Sequence, residues 1–183
     1  VMGSNPWTKP IKFALSFALY AYTVARLLEY LRISNLGKQI ISWTVSISVL
    51  TQLICITTQA ARGTTSHYNM STSTDSAIAI TMDIMDPVNG VCVVILLILA
   101  LMGKYDVSRP SLWGIRLGLV IFLGAALIGL VMVAYGAHSI GMKDGGAGLP
   151  VLDWNTAGGD LRVAHFVGLH ALQVLPVSGW LIN

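Results

Sequence analysis

Long apolar blocks, broken by short polar stretches, dominate this chain. The blocks cover residues 11–31, 40–61, 76–102, 112–135 and 161–182. Within them apolar residues are continuous and do not alternate, so the pattern predicts helices and not the strands of a barrel. Each block is near or above the roughly 20 residues that a helix needs to cross a bilayer. Spanning segments must pair their backbone groups internally, which helices do. The expectation is an all-α, polytopic transmembrane helix bundle with at least five spans in a single domain, residues 1–183.

The polar residues inside the blocks refine this picture. In the second block Gln52, Cys55, Gln59 and Arg62 recur at steps of three and four, which places them on one helix face. Such a face turns toward another helix or a cavity, away from lipid. The third block contains Asp83 and Asp86, one turn apart, followed by Pro87, Asn89 and Gly90. Pro87 is expected to kink that helix. In the fourth block Gly118, Ala125 and Gly129 permit close helix approach. Arg26 and Glu29, at i and i+3, are set to pair.

Between the last two blocks lies a segment, residues 136–160, too long for a plain connection. Leu149, Val151, Leu152 and Trp154 suggest that it packs as an ordered lid. Gly158, Gly159 and Asp160 read as a turn and a helix N-cap. Asn69-Met70-Ser71 matches a short glycosylation pattern that is common by chance.

Composition agrees with lipid as the solvent: 55% of residues are hydrophobic and only 10% charged, against about a quarter charged in soluble domains. The net charge of +3 is spread over the loops, which excludes a nucleic-acid footprint. Cys55 and Cys92 fall inside spans and form no metal motif. The chain begins at Val1 and stops just after an apolar run, and is read as a piece of a slightly longer protein. By alternation, Arg26, Arg32, Lys38, Lys104, Arg109 and Arg116 share one side, and Lys9, Lys12, Arg62, Lys143 and Arg162 the other. The positive-inside rule puts the larger set in the cytoplasm. The localisation read from this is a cell inner membrane, with segment 136–160 on the extracytoplasmic side.

Candidate chemistry gathers at that outer side, and the favoured expectation is a polar His/Asp/Arg site at the outer ends of the helices that binds a metal ion or haem in a redox or metal-dependent role, with an ion-coupled transporter or a structural subunit as the alternatives. His67, His138 and His165, with Asp83 or Asp153, are a candidate ligand set for zinc, iron or copper. A b-type haem is the second option. Its axial ligands would come from His138 or His67 against His165 or His170, with Gly129, Gly136 and Gly168 leaving room for the ring and Arg62 and Arg162 holding a propionate or a lipid phosphate. Asp153 or Asp160 would orient a histidine ring. His165 and His170 lie roughly 140° apart on a helix, so both cannot reach one ion. No spacing such as HxxxH supports a metal, and the plain alternative is that each histidine bonds a helix end or a loop carbonyl. A third option is a proton or ion path through Asp83, Asp86, Gln52 and Gln59; its plain alternative is an ion pair of the aspartates with Arg62 or Arg162. Other membrane subunits are conceivable partners, with the helix 2 stripe as interface. No catalytic residue or enzyme class follows from these patterns.

Three stretches, NPWTKPIKFALS, QAARGTTSHYN and GLPVLDWNTAGGDLRVAHFVGLHALQVLP, together resemble an uncharacterised family of bacterial multi-pass integral membrane proteins. The resemblance spans nearly the whole chain. It implies the helical architecture and no activity. It also implies that Arg62, His67, Asp160, Arg162, His165 and His170 belong to recurring motifs, that the position of Gln52 is often acidic, and that the chain continues past the fifth helix.

Overall fold

The computed structural model describes residues 5–103, 105–145 and 147–182. Among them are five helices: α1 (Thr8–Tyr30), α2 (Asn35–Ala61), α3 (Ser73–Met102), α4 (Arg109–Tyr135) and α5 (Leu161–Leu181). Two short strands, β1 (Ser139–Ile140) and β2 (Gly159–Asp160), lie between α4 and α5. By length and apolar composition α1 to α4, with 23, 27, 30 and 27 residues, are candidate membrane spans. α5, with 21 residues, carries Arg162, His165, His170 and Gln173 and is not among these four. Four helices therefore meet the criterion where the pattern suggested at least five.

α1 to α4 begin three to five residues before the apolar blocks do. The reason for the last three is capping. The hydroxyl of Ser34 accepts from Gly37 N, that of Thr72 from Asp75 N and that of Ser108 from Ser111 N. Each satisfies one of the N–H groups that a helix start leaves without a partner. These caps lie in polar sequence that hydropathy does not register.

The chain divides into two compact units near residue 107. In the first, α2 and α3 run antiparallel, since Ser48 meets Met85 and Gln59 meets Asp75. Cys55, Ile56 and Met82 form a buried core there, with Phe13 and Ile78 packed against it. α1 joins through buried Tyr20, Val24, Leu27 and Leu28. α3 is one uninterrupted helix through Pro87. Pro87 has no N–H to give the Asp83 carbonyl one turn back, and the fully buried Ser48 hydroxyl donates to a different carbonyl, Met85 O, at 2.9 Å.

In the second unit α4 and α5 form an antiparallel hairpin built on small residues. A Cβ at Gly114 would lie 2.4 Å from Leu175 O, and one at Gly179 would lie 2.5 Å from Pro110 O. The backbones therefore approach as closely as glycine allows. Gly136, at φ 60°, ends α4 in the left-handed conformation that glycine adopts without strain. The segment that follows is folded. β1 pairs antiparallel with β2, and Leu149 N donates to Trp154 O at 2.8 Å. Of the apolar residues expected to pack there, Leu149 and Val151 are exposed, and Trp154 docks on Phe166 of α5.

Candidate functional site

The polar stripe of α2 turns inward at Gln52, Cys55 and Gln59 and comes to the surface at Arg62. Ser48, Gln52, Cys55 and Gln59 are all buried. At the end of the stripe Asp75 is the hub. Its Oδ1 accepts from Gln59 Nε2 at 2.8 Å and from Arg62 Nη1 at 2.6 Å, and its Oδ2 from the Thr72 hydroxyl at 2.7 Å. Gln59 Oε1 accepts in turn from Arg62 and from Thr64. Asp75 is only 2% exposed, yet each of its carboxylate oxygens is bonded. The Thr72-x-x-Asp75 spacing is that of a capping box, and that signal was available in the sequence.

This cluster resolves the pairing of the arginines. Within the first unit Arg62 pairs with Asp75, not with Asp83 or Asp86, among the described residues; within the second Arg162 pairs with Asp160. Asp83 and Asp86 are exposed on the surface of α3. The Gln52 side chain hydrogen-bonds to Asp86, and one turn beyond, Tyr20 OH donates to Asn89 Oδ1 at 3.0 Å. Gln59 lies two turns from Gln52, about 10 Å along α2, and serves the Asp75 hub. The path Asp83, Asp86, Gln52 and Gln59 is therefore two polar stations with apolar core between them.

His67 faces the start of α1. Lys9 Nζ and the Ser66 hydroxyl each lie 3.0 Å from His67 Nδ1, and the Phe13 ring is 6.0 Å away. An ammonium only donates, so Nδ1 is the acceptor and the ring proton sits on Nε2. Asn69 is buried and its amide donates to Thr65 O; the glycosylation-type asparagine is thus a loop-forming residue.

In the second unit, among the described residues, the carboxylate paired with a histidine is Asp144, where Asp153 or Asp160 was expected. Asp144 Oδ1 lies 3.2 Å from His138 Nδ1. The same carboxylate accepts from the N–H groups of His138 and Ser139, the latter at 2.8 Å. Burial opposes its ionisation, but the Ser139 and His138 hydrogen bonds and the His138 charge hold its pKa below the usual value. Asp160 caps α5, accepting from Arg162 N at 2.9 Å, and also accepts from Asn155 N and the Arg162 guanidinium. There too burial opposes ionisation, yet those hydrogen bonds and the Arg162 charge bring the pKa down to about 2. Arg162 also donates to the backbone carbonyl of Asp153, whose own carboxylate is exposed.

His165 and His170 bond helix carbonyls. His165 Nδ1 donates to Ala125 O of α4 at 2.7 Å, and His170 Nδ1 to Phe166 O at 2.8 Å. A carbonyl only accepts, so Nδ1 bears the proton in both rings. Trp154 meets Phe166 edge-on with centroids 5.6 Å apart, and Phe166 stacks on His170 at 4.2 Å.

The candidate ligands divide between the units: His67 and Asp83 in the first, His138, His165 and Asp153 in the second. Among the described residues no three His, Cys, Asp or Glu side chains are grouped to hold a metal ion. The room that a haem would need at Gly129 and Gly168 is filled. A Cβ at Gly129 would meet His165 at 2.8 Å, and one at Gly168 would meet the Ala125 Cβ at 2.6 Å.

The fold defines a class, that of helical membrane proteins, with four apolar helices suited to a lipid bilayer. Comparison with family models, with curated proteins and with solved structures finds no match.

Proposed function

We propose that this is a multi-pass inner-membrane protein in which Asp86, with Asp83, takes up and releases a proton or a small cation within the bilayer. One observation carries the reading. Asp86 lies well inside a long apolar helix, bonded to the buried amide of Gln52 and next to Pro87. A charged group at mid-membrane costs about 2.5–3.5 kcal/mol, so such a carboxylate is held by a proton, a cation or a partner. Arg62, the arginine of the same unit weighed as its partner, is engaged by Asp75. α5 is read as a fifth span, because its outer face exposes Val163, Val167, Val174, Val177 and Trp180. The six-to-five charge bias assigns the β1–β2 segment to the extracytoplasmic side.

The test is proton and cation uptake in proteoliposomes with an entrapped pH-sensitive dye, comparing the native chain with Asp86→Asn and Asp83→Asn. A hydrophobic carbodiimide, which reacts with protonated carboxyls in apolar surroundings, should label Asp86 and block uptake. Uptake unchanged in Asp86→Asn, with no carbodiimide adduct on α3, rejects the reading in favour of a structural subunit.

A bound metal ion is the second reading, favoured by His165. Its Nδ1–H is fixed by Ala125 O, which leaves Nε2 as the lone-pair nitrogen, the arrangement that metal-ligating histidines adopt. Zinc, iron or copper would require further ligands, and haem b would require room away from Gly129 and Gly168. Near-stoichiometric metal by plasma mass spectrometry, lost in His165→Ala, would establish it.

A further inference from the structure

We propose that the folded segment between α4 and α5 lies in the headgroup layer of the bilayer, with Leu149 and Val151 inserted toward the lipid chains. The depth of α4 supplies the first reason. Arg116 stacks on the exposed Trp113 ring at 5.3 Å, a pairing suited to an interface. Counting the roughly 20 residues of a hydrocarbon crossing from there reaches the end of α4. Tyr135, 79% exposed, then sits at the opposite headgroup layer, and the folded segment starts within it.

The second reason is that the segment folds back along α5. Its Trp154 rests on Phe166, five residues into that helix and so about 7 Å below its start. Phe166 is flanked by the exposed Val163 and Val167, on the surface assigned to lipid. The third is the chemistry of the tip. Leu149 and Val151 are 42% and 69% exposed, and Ile140 and Met142 add further exposed apolar surface. Lys143 is exposed beside them and suits a lipid phosphate. The tip is held stiffly: Asp153 N donates to Leu149 O, and Arg162 binds both Asp160 and the Asp153 carbonyl. Val151 sits at φ 69°, a conformation that a β-branched residue rarely adopts. A rigid apolar tip at this depth meets the upper acyl chains, as interfacial segments do.

The inference rests on α5 being a span, and the test separates the two. In the full chain with Cys55→Ala and Cys92→Ala, single cysteines at Leu149, Val151 and Val174 would carry a nitroxide label. The protein would be reconstituted in vesicles of phosphatidylcholine and phosphatidylglycerol. Power saturation then compares collisions with oxygen, which concentrates in lipid, and with a water-soluble nickel chelate. Oxygen should dominate at all three sites. Nickel-dominated collision at Val151 with oxygen dominant at Val174 overturns the insertion while the span stands. A label at Val151 shielded from both reagents overturns it in favour of a protein contact. Nickel-dominated collision at Val174 removes the fifth span, and the proposal with it.

Discussion

The His165 imidazole occupies the space that a side chain at position 129 would need. A Cβ on Gly129 would lie 2.8 Å from His165 Cε1, and that ring donates to the Ala125 carbonyl one turn earlier on α4. Gly129 and His165 therefore act as a notch and a peg that set how α4 and α5 meet.

This relationship separates two glycine substitutions that look alike in sequence. Gly129→Ala forces the ring aside and breaks its bond to Ala125, and should cost about 1–2 kcal/mol. Gly124→Ala meets nothing within 4 Å and should be neutral or stabilising by up to about 1 kcal/mol, from helix propensity alone. Thermal unfolding in detergent should move down for the first and not for the second.

At Gly114 and Gly179 the obstructing atoms are backbone, so no rotamer change relieves the clash. Gly114→Ala should cost about 1–3 kcal/mol, and Gly114→Leu should push the hairpin apart. Disulfide crosslinking between cysteines placed on α4 and α5 should drop sharply in the leucine variant.

The Asp75 hub predicts strong coupling. Removing the carboxylate leaves Gln59, Arg62 and Thr72 without their shared acceptor, so Asp75→Asn should lower the unfolding temperature more than the loss of one cap does. Thr72→Ala, which loses a cap, should cost about 1 kcal/mol. A double-mutant cycle on Arg62 and Asp75 should return a coupling well above that of exposed pairs such as Arg26 and Glu29.

Asp160 predicts an acid limit for the folded segment. Its pKa in the fold is about 2, below the roughly 3.9 of an unfolded chain. A depressed carboxyl stabilises the fold fully above the unfolded value and loses that contribution as pH falls through the folded one. Asp144, shifted in the same direction, adds to the effect. Pepsin cleavage within residues 140–158 should stay slow at pH 4 and accelerate toward pH 2, and Asp160→Asn should flatten that dependence.

Several of these features were legible in the chain. The α2 stripe could be read because Gln52, Cys55 and Gln59 stand out at helical spacing against apolar neighbours. Asp160 as a cap could be read because capping is local. The Ala125 and Gly129 pair announced a close approach, but nothing in sequence named His165 as the group that fills it. Likewise the Thr72-x-x-Asp75 box was visible, while its bonds to Gln59 and Arg62 required α2 and α3 to be brought together. The choice of Asp144 beside His138 depended on a turn that carries no periodic signal.

The sequence alone determined that this chain is helical and suited to lipid, because apolar content and period act within each segment and need no neighbour. It also determined which face of α2 turns inward, since a polar row in an apolar helix has few other places to go. Only the tertiary structure decided which charges meet. Arg62 and Arg162 had several carboxylates within plausible reach, and the choice fell to geometry at the helix ends. It also decided that His165 and His170 meet backbone carbonyls, while His67 lies beside an ammonium and His138 beside a carboxylate, because such contacts depend on how separate segments pack and not on the residues each one contains.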